Sequence, residues 1–134
     1  MNGGIERLAR AIGYPEEIPA GAASVTLTVD GRPVEAREQG GRLLLSTTLA
    51  TAPDEATLAR FAGYAAGRIL KEEAVLAWEP RTSSLVLWQG VAASASDVVL
   101  KRFFEVYATS CDWWLTRLAE AETLSSIPEM VIRP

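Results

Sequence analysis

Histidine is absent from this sequence of 134 residues, and cysteine occurs once, at Cys111. Histidine is the usual general base near neutral pH, the usual triad partner and the commonest metal ligand, so its absence excludes most hydrolase mechanisms. A lone cysteine without histidine cannot build a zinc site or an internal disulfide. We therefore expect no metal and no enzymatic activity, and we predict that Cys111 is a small hydrophobic residue of the core.

The chain also lacks G-x-G-x-x-G and G-x-x-x-x-G-K-[ST], the motifs that bind phosphates, so no cofactor is expected. Its 13 basic residues are scattered singly from Arg7 to Arg133 against 17 acidic ones, which disfavours a nucleic-acid partner. No run approaches the roughly 18 apolar residues of a membrane span, and MNGGIERLAR has charges where a signal peptide needs an apolar stretch. These absences predict a cytoplasmic protein.

Hydrophobic periodicity predicts one domain over residues 1–124, an α+β fold with the order αβββαββα and a five-stranded antiparallel sheet packed by helices. The tail, residues 125–134, has no assigned role. Asn2 is the predicted cap of helix 1 and Thr51 opens a predicted capping box before helix 2, which should run to about Lys71. The predicted elements are helix 1 over Ile5–Ile12, strands over 24–29, 34–37 and 43–49, helix 2, a hairpin of Val75–Trp78 with Leu85–Trp88, and helix 3 over 94–124.

Two of these elements carry features that packing within a single domain does not require. The hairpin has apolar side chains on both faces, and helix 2 has a row of small residues. In the hairpin, Val75 and Ala77 point to one face while Leu76 and Trp78 point to the other, so both faces are apolar. On helix 2, Ala59, Gly63 and Gly67 recur every four residues and form a flat ridge where another backbone could approach closely. Close packing of this ridge on the domain's own sheet is the alternative.

The order of elements resembles that of the class I chaperones of bacterial type III secretion systems. The similar segments are IERLARAIGYP, SVTLTVDG, ARFAGYAAGRILKEEAVLAWEPRTSSLVLWQG and WWLTRLAEAE, which together span about residues 4–122. The layout carries this resemblance, since the segments contain no single diagnostic motif. The chain has Glu73-Ala74 where many members have a Gly-Ala pair.

The resemblance implies a homodimer joined through helix 2 and the fourth strand. On this chain the implied interface residues are Ala59, Gly63, Gly67, Val75, Ala77 and Trp78. The implied partner is the N-terminal segment of a secreted effector, which binds in extended form without ATP and is kept soluble for secretion. The implied partner-binding residues are Ile5, Leu8, Ile12, Val25, Leu27, Val29, Leu87 and Trp88.

Helix 1 is short, so we expect some of Ile5, Leu8 and Ile12 to be partly exposed for the partner. Plain core packing is the alternative for each of them. Two other functions stay open at this point: a protein-binding or regulatory module of the same fold without a secretion client, and a domain that binds a small ligand or uses carboxylates for catalysis.

Overall fold

The computed structural model describes residues 3–68 and 73–125. Its elements follow the predicted order αβββαββα and form a five-stranded antiparallel sheet with helices packed on it. They are α1 Gly4–Ile12, β1 Ser24–Val29, β2 Arg32–Gln39, β3 Arg42–Thr51, α2 Glu55–Arg68, β4 Val75–Glu79, β5 Ser84–Ala92 and α3 Asp97–Ser125.

The strand order in the sheet is β1-β2-β3-β5-β4, so β1 and β4 are its two edges. The first two hairpins turn at Asp30-Gly31 and Gly40-Gly41, four residues that all have positive φ. Two successive positive φ angles are typical of the type I′ turn, whose twist matches that of antiparallel strands. These turns set the register, which pairs Leu27 with Val34 in the first hairpin.

One face of the sheet carries the core. Leu27, Ala36, Leu45 and Leu87 point to this face and are fully buried with the inner sides of all three helices. On α3 one side of the helix is buried against the sheet through the following residues: Leu100, Phe104, Tyr107, Cys111 and Trp114. The other face carries no helix among the described residues.

The helix termini differ from the sequence predictions in three places. The N-cap of α1 is Gly3, and the predicted cap Asn2 lies outside the described residues. The N-cap of α2 is Asp54 rather than Thr51, because Asp54 Oδ1 accepts a hydrogen bond of 2.8 Å from the Thr57 amide. This hydrogen bond also lowers the pKa of Asp54. The described part of α2 ends at Arg68, so the predicted end near Lys71 is outside it.

A small polar cluster lies inside the core where α3 crosses the sheet. The Tyr107 hydroxyl donates to the Leu87 carbonyl at 2.8 Å and is hydrogen-bonded to the Thr47 hydroxyl at 2.8 Å, and the thiol of Cys111 lies 3.7 Å from Thr47 Oγ1. Burial raises the pKa of Cys111, which disfavours the thiolate that a nucleophile needs. The prediction that Cys111 is a core residue is therefore confirmed.

Helix α1 is fixed to the rest of the domain at several points. Arg7 donates to the Ala93 carbonyl at 2.8 Å and to the Ala95 carbonyl, and the Gly4 amide donates to Glu38 Oε2 at 2.9 Å. These bonds hold the helix against β2 and against the loop between β5 and α3. As a result Ile5 and Leu8 are 1% and 0% exposed, and of the three residues among which some partial exposure was expected only Ile12 is half-buried.

Candidate functional site

The free edge of β1 is the first candidate surface for a partner. The Thr28 amide donates to the hydroxyl of Tyr14 at 3.0 Å, so the backbone groups of Thr28 point away from β2. By the alternation of a strand, Thr26 also presents its N–H and C=O to this edge. An unpaired edge of this kind can accept an additional strand.

A groove of about 310 Å³ lies beside this edge, between the end of α1 and α3. Ile12, Val29 and Phe104 give it apolar walls, while Asp30 and Glu105 add carboxylates. The other lining residues are Gly13, Tyr14, Pro15, Thr28 and Lys101. An apolar interior with a charged rim is typical of surfaces that bind proteins.

The predicted partner-binding residues divide into two groups. Ile12, Val25, Val29 and Trp88 are half-buried, and Ile12 and Val29 line the groove. The others belong to the closed core: Ile5, Leu8, Leu27 and Leu87. Trp88 is also separated from the groove, because it pairs with Val75 on the sheet face that carries no helix. A role for these residues in partner binding stays a prediction.

Sequence periodicity missed several residues of the groove. Tyr14 and Pro15 follow the end of α1, where the pattern indicates only that the helix stops. Phe104 is a core residue of α3, yet it also lines the groove. The segment Gly13-Tyr14-Pro15 has a signal that could have been used, since an aromatic residue in a short loop after a helix is a frequent contact residue.

The edge strand β4 is the second candidate surface. Val75 and Trp78 are 61% and 47% exposed, which is unusual for large apolar side chains on a short strand. An apolar pocket of about 230 Å³ adjoins the strand, between Leu76 and the C-terminal half of α2. Its lining consists of Ala65, Ala66, Arg68, Ala74, Val75, Leu76 and Trp114.

The small residues of α2 lie on the outside of the domain. Ala59, Gly63 and Gly67 are all exposed, and a Cβ added at either glycine would meet nothing within 4 Å. The inner side of α2 instead packs through Phe61, whose ring lies 5.5 Å from that of Trp114. The alternative that the ridge packs on the domain's own sheet is therefore wrong, and the ridge is open to a partner.

Among residues 3–68 and 73–125, no group of three acidic or cysteine side chains could hold a metal ion. No helix in these ranges is long and apolar enough to cross a membrane. The chemistry that both edges offer is backbone hydrogen bonding and burial of apolar surface.

The sequence of this chain matches the Tir chaperone protein (CesT) family over residues 4–108. This chain belongs to that family. The match covers most of the chain and includes both the groove and the β4 edge, and it confirms the resemblance to type III secretion chaperones. No protein with a curated description matches the chain.

Solved structures show the same fold at low sequence identity. A chain of the HopA1–SchA chaperone–effector complex is 16% identical, with a TM-score of 0.64 over 83% of this chain and 89% of that one. A chain of the Yersinia pestis type III secretion chaperone SycH with a fragment of YscM2 is 16% identical, with a TM-score of 0.59 over 84% and 95%.

The same fold also occurs in a protein described without a secretion partner. YbjN from E. coli, described as a candidate transcription regulator, is 16% identical, with a TM-score of 0.61 over 87% of this chain and 90% of that one. Fold alone therefore does not distinguish a secretion chaperone from a regulator.

Proposed function

We propose that this protein is a cytoplasmic bacterial chaperone, without enzymatic activity, that binds the N-terminal segment of a type III secreted effector. The groove beside the open edge of β1 is the observation that carries this proposal. Family membership supports it, and so does the similarity of fold to chains of chaperone–effector complexes. Binding keeps the segment unfolded and soluble until secretion.

The geometry of the β1 edge favours an extended client. A strand laid along β1 meets the outward N–H and C=O groups of Thr26, and its alternate side chains point toward the groove. Ile12, Val29 and Phe104 then contact apolar side chains of the client. Backbone pairing gives affinity that does not depend on the client's sequence, while the groove selects for apolar residues at alternate positions.

The charges around the groove indicate which clients fit. Asp30 and Glu105 lie beside Lys101 in the lining, so a client with a basic residue next to an apolar one gains an attractive contact. This interaction requires no nucleotide. Its free energy comes from buried apolar area and hydrogen bonds, offset by the entropy that the client loses when it becomes ordered.

The proposal includes a homodimer formed through α2 and β4. Its support is the open ridge of Ala59, Gly63 and Gly67 together with the exposed side chains of Val75 and Trp78. Ala77 lies between these two on β4. A dimer of this form leaves the β1 edge of each copy free for the client.

The test is to purify the protein from its native host and identify bound proteins by mass spectrometry. We expect one secreted effector, bound through its N-terminal segment. Hydrogen exchange of the complex should show protection at residues 12–15 and 24–30, and added ATP should not release the client. Recovery of no secreted protein, or protection confined to other parts of the chain, would contradict the proposal.

A regulatory module without a secretion client is the second candidate, because the fold is shared with YbjN. It predicts that the bound protein is a regulator that is never secreted. The same copurification decides between the two functions. A genome neighbourhood with secretion-apparatus or effector genes favours the chaperone.

A further inference from the structure

We propose that the loop between α1 and β1, residues 14–20, is a strap that closes the open edge of β1 in the empty protein and is displaced by the client strand. The strap has the sequence Tyr-Pro-Glu-Glu-Ile-Pro-Ala. This inference rests on the proposed function and adds a means of regulating the same site. In it, the protein carries its own competitor for the edge that the client uses.

The strap runs beside β1 from one end of the strand to the other. It begins at Tyr14, whose hydroxyl accepts the Thr28 amide near the C-terminal end of β1. It ends before Gly21, whose amide donates to Glu6 Oε1 on α1 at 3.1 Å. The carbonyl of Ala23, two residues further on, already bonds to β2 at the N-terminal end of β1. The strap therefore returns in the direction opposite to β1, beside the edge along which a client strand would lie.

Two side chains hold the strap on the domain. The Tyr14 hydroxyl lies 3.0 Å from the Thr28 amide nitrogen, and Ile18 is half-buried and packs against the core. A hydrogen-bond acceptor for the edge and an apolar side chain are the same two kinds of contact that a client strand offers. The other strap residues are exposed: Pro15, Glu16, Glu17, Pro19 and Ala20.

Two prolines keep the strap from pairing permanently with β1. Pro15 and Pro19 have no backbone N–H, so the strap cannot form a continuous ladder with outward groups such as those of Thr26. Among the described residues, no backbone hydrogen bond joins the strap to β1. A segment held by two side chains can be exchanged for a client strand that brings a full set of backbone donors and acceptors.

The strap lies between two glycines in the left-handed region of backbone conformation. Gly13 and Gly21 have φ angles of 70° and 72°, which side chains rarely adopt. A Cβ added at either position would meet nothing within 4 Å, so neither end of the strap is packed against the domain. Loop residues of this kind absorb the backbone rotations of a moving segment. The strap can therefore open about its ends without disturbing the buried side of α1.

The strap sets a threshold for client binding. While it is closed, it protects the edge from chance pairing with other strands, which an exposed edge otherwise invites. A client binds by replacing the two strap contacts with a backbone ladder along β1 and apolar contacts in the groove. Its apparent dissociation constant is raised in proportion to the rarity of the open strap. A variant that loosens the strap should therefore bind the client more tightly.

Two isoleucines test the strap by the sign of their effects. Ile12 and Ile18 are both half-buried, but Ile12 lines the groove whereas Ile18 belongs to the strap. The probe is the N-terminal segment of the effector recovered by copurification, and titration calorimetry is the measurement. Ile18→Ala should bind it about three- to tenfold more tightly, and Ile12→Ala about three- to tenfold more weakly. Unchanged or weaker binding by Ile18→Ala would overturn the inference.

Amide hydrogen exchange tests the closed strap without any effector. Ile18→Ala should raise the exchange rate at Thr28 at least about twofold although Tyr14 is still present, because a loosened strap also withdraws the hydroxyl. Ile18→Val, a milder truncation, should act in the same direction by a smaller factor. Glu17→Ala changes an exposed residue of the strap and is the control, with no change expected.

The two measurements separate this inference from the proposed function. An exchange rate at Thr28 that is the same in Ile18→Ala and the wild type would show that the two strap contacts act independently, and the strap would be refuted. Faster exchange in a protein from which no effector is recovered would instead refute the proposed client and leave the closure of the edge by the strap intact.

Discussion

The two edges of the sheet differ in what protects them. At β1 the backbone groups of Thr26 and Thr28 point to the open edge. The Thr28 amide already donates a hydrogen bond to the Tyr14 hydroxyl. At β4 the strand is five residues long and carries two exposed apolar side chains, Val75 and Trp78. Exposed edges of soluble proteins usually have short strands, charges or covering groups that prevent unwanted pairing.

Under the proposed function, this difference is expected to separate a temporary contact from a permanent one. A polar edge with a removable cap stays soluble when empty, which suits a client that must leave for secretion. An apolar edge is costly to leave in water, which suits a contact formed once with a second copy. After a test of the core under α1, the predictions below change one edge at a time and ask whether the other is affected.

The largest effect is expected from Leu8→Asp. Leu8 is 0% exposed on the inner side of α1, so the new carboxylate must enter the core or push the helix away. A buried unpaired charge costs several kcal/mol, comparable to the whole stability of a small domain. Circular dichroism should show an unfolded or much less stable protein. A variant that melts like the wild type would mean that α1 is not packed as described.

The second effect concerns the β4 side. Gly63→Leu places a bulky side chain on the open ridge of α2, where nothing within 4 Å opposes it in the single chain. The fold should remain and the helix should gain up to about 1 kcal/mol, because leucine is a better helix former than glycine. The dimer should dissociate, because the added side chain holds the facing surface of the second copy away. Light scattering measures the resulting change in molecular mass.

Gly63→Ala is the matched control, because it raises helix propensity with little added bulk. It should keep the dimer. If Gly63→Leu also remains a stable dimer, the ridge is not part of the interface. Client binding at the β1 edge should persist in both variants. The monomer expected for Gly63→Leu then has one client site, whereas the dimer expected for Gly63→Ala has two.

The third effect concerns the groove at β1. Ile12 is half-buried and lines the groove, so Ile12→Asp should lower the melting temperature by only a few degrees. The charge should reduce effector affinity at least about tenfold, because it must be buried under the client. Titration calorimetry with the effector's N-terminal segment measures it. Ile12→Val is the control and should bind nearly normally, and unchanged binding by Ile12→Asp would place the client elsewhere.

The order of elements could be predicted from the sequence because it depends on local signals. Alternation in SVTLTV and the Asp30-Gly31 and Gly40-Gly41 turns determine the first three strands and their register. The caps were less predictable: Thr51 and Asp54 are both good caps, and the choice between them depends on where the chain leaves β3.

The exposure of individual apolar residues could not be predicted, because it depends on how elements pack. Ile5, Leu8 and Ile12 share one side of α1, yet only Ile12 lies near the groove. The difference comes from Arg7 and Gly4, which fix the first part of the helix through bonds to residues far away in the sequence. Helical periodicity identifies a side that is buried but not what buries it.

The smallest effect is expected from Tyr14→Phe, which removes only the hydroxyl that accepts the Thr28 amide at 3.0 Å. This bond is exposed, so its loss should cost no more than about 1 kcal/mol of stability. A client strand that pairs with β1 must displace the same hydroxyl before it can use the amide. The variant should therefore bind the effector segment a few times more tightly, while the dimer is unchanged.

Amide hydrogen exchange gives this prediction a readout of its own. In the free variant, exchange at Thr28 should be faster than in the wild type, because the amide has lost its acceptor, whereas Leu27 should be unaffected since it is paired within the hairpin. Tyr64→Phe is the control, because Tyr64 contacts Trp113 on the other side of the domain. Weaker client binding by Tyr14→Phe would show that the hydroxyl contacts the client, and β1 would then not be paired along Thr28.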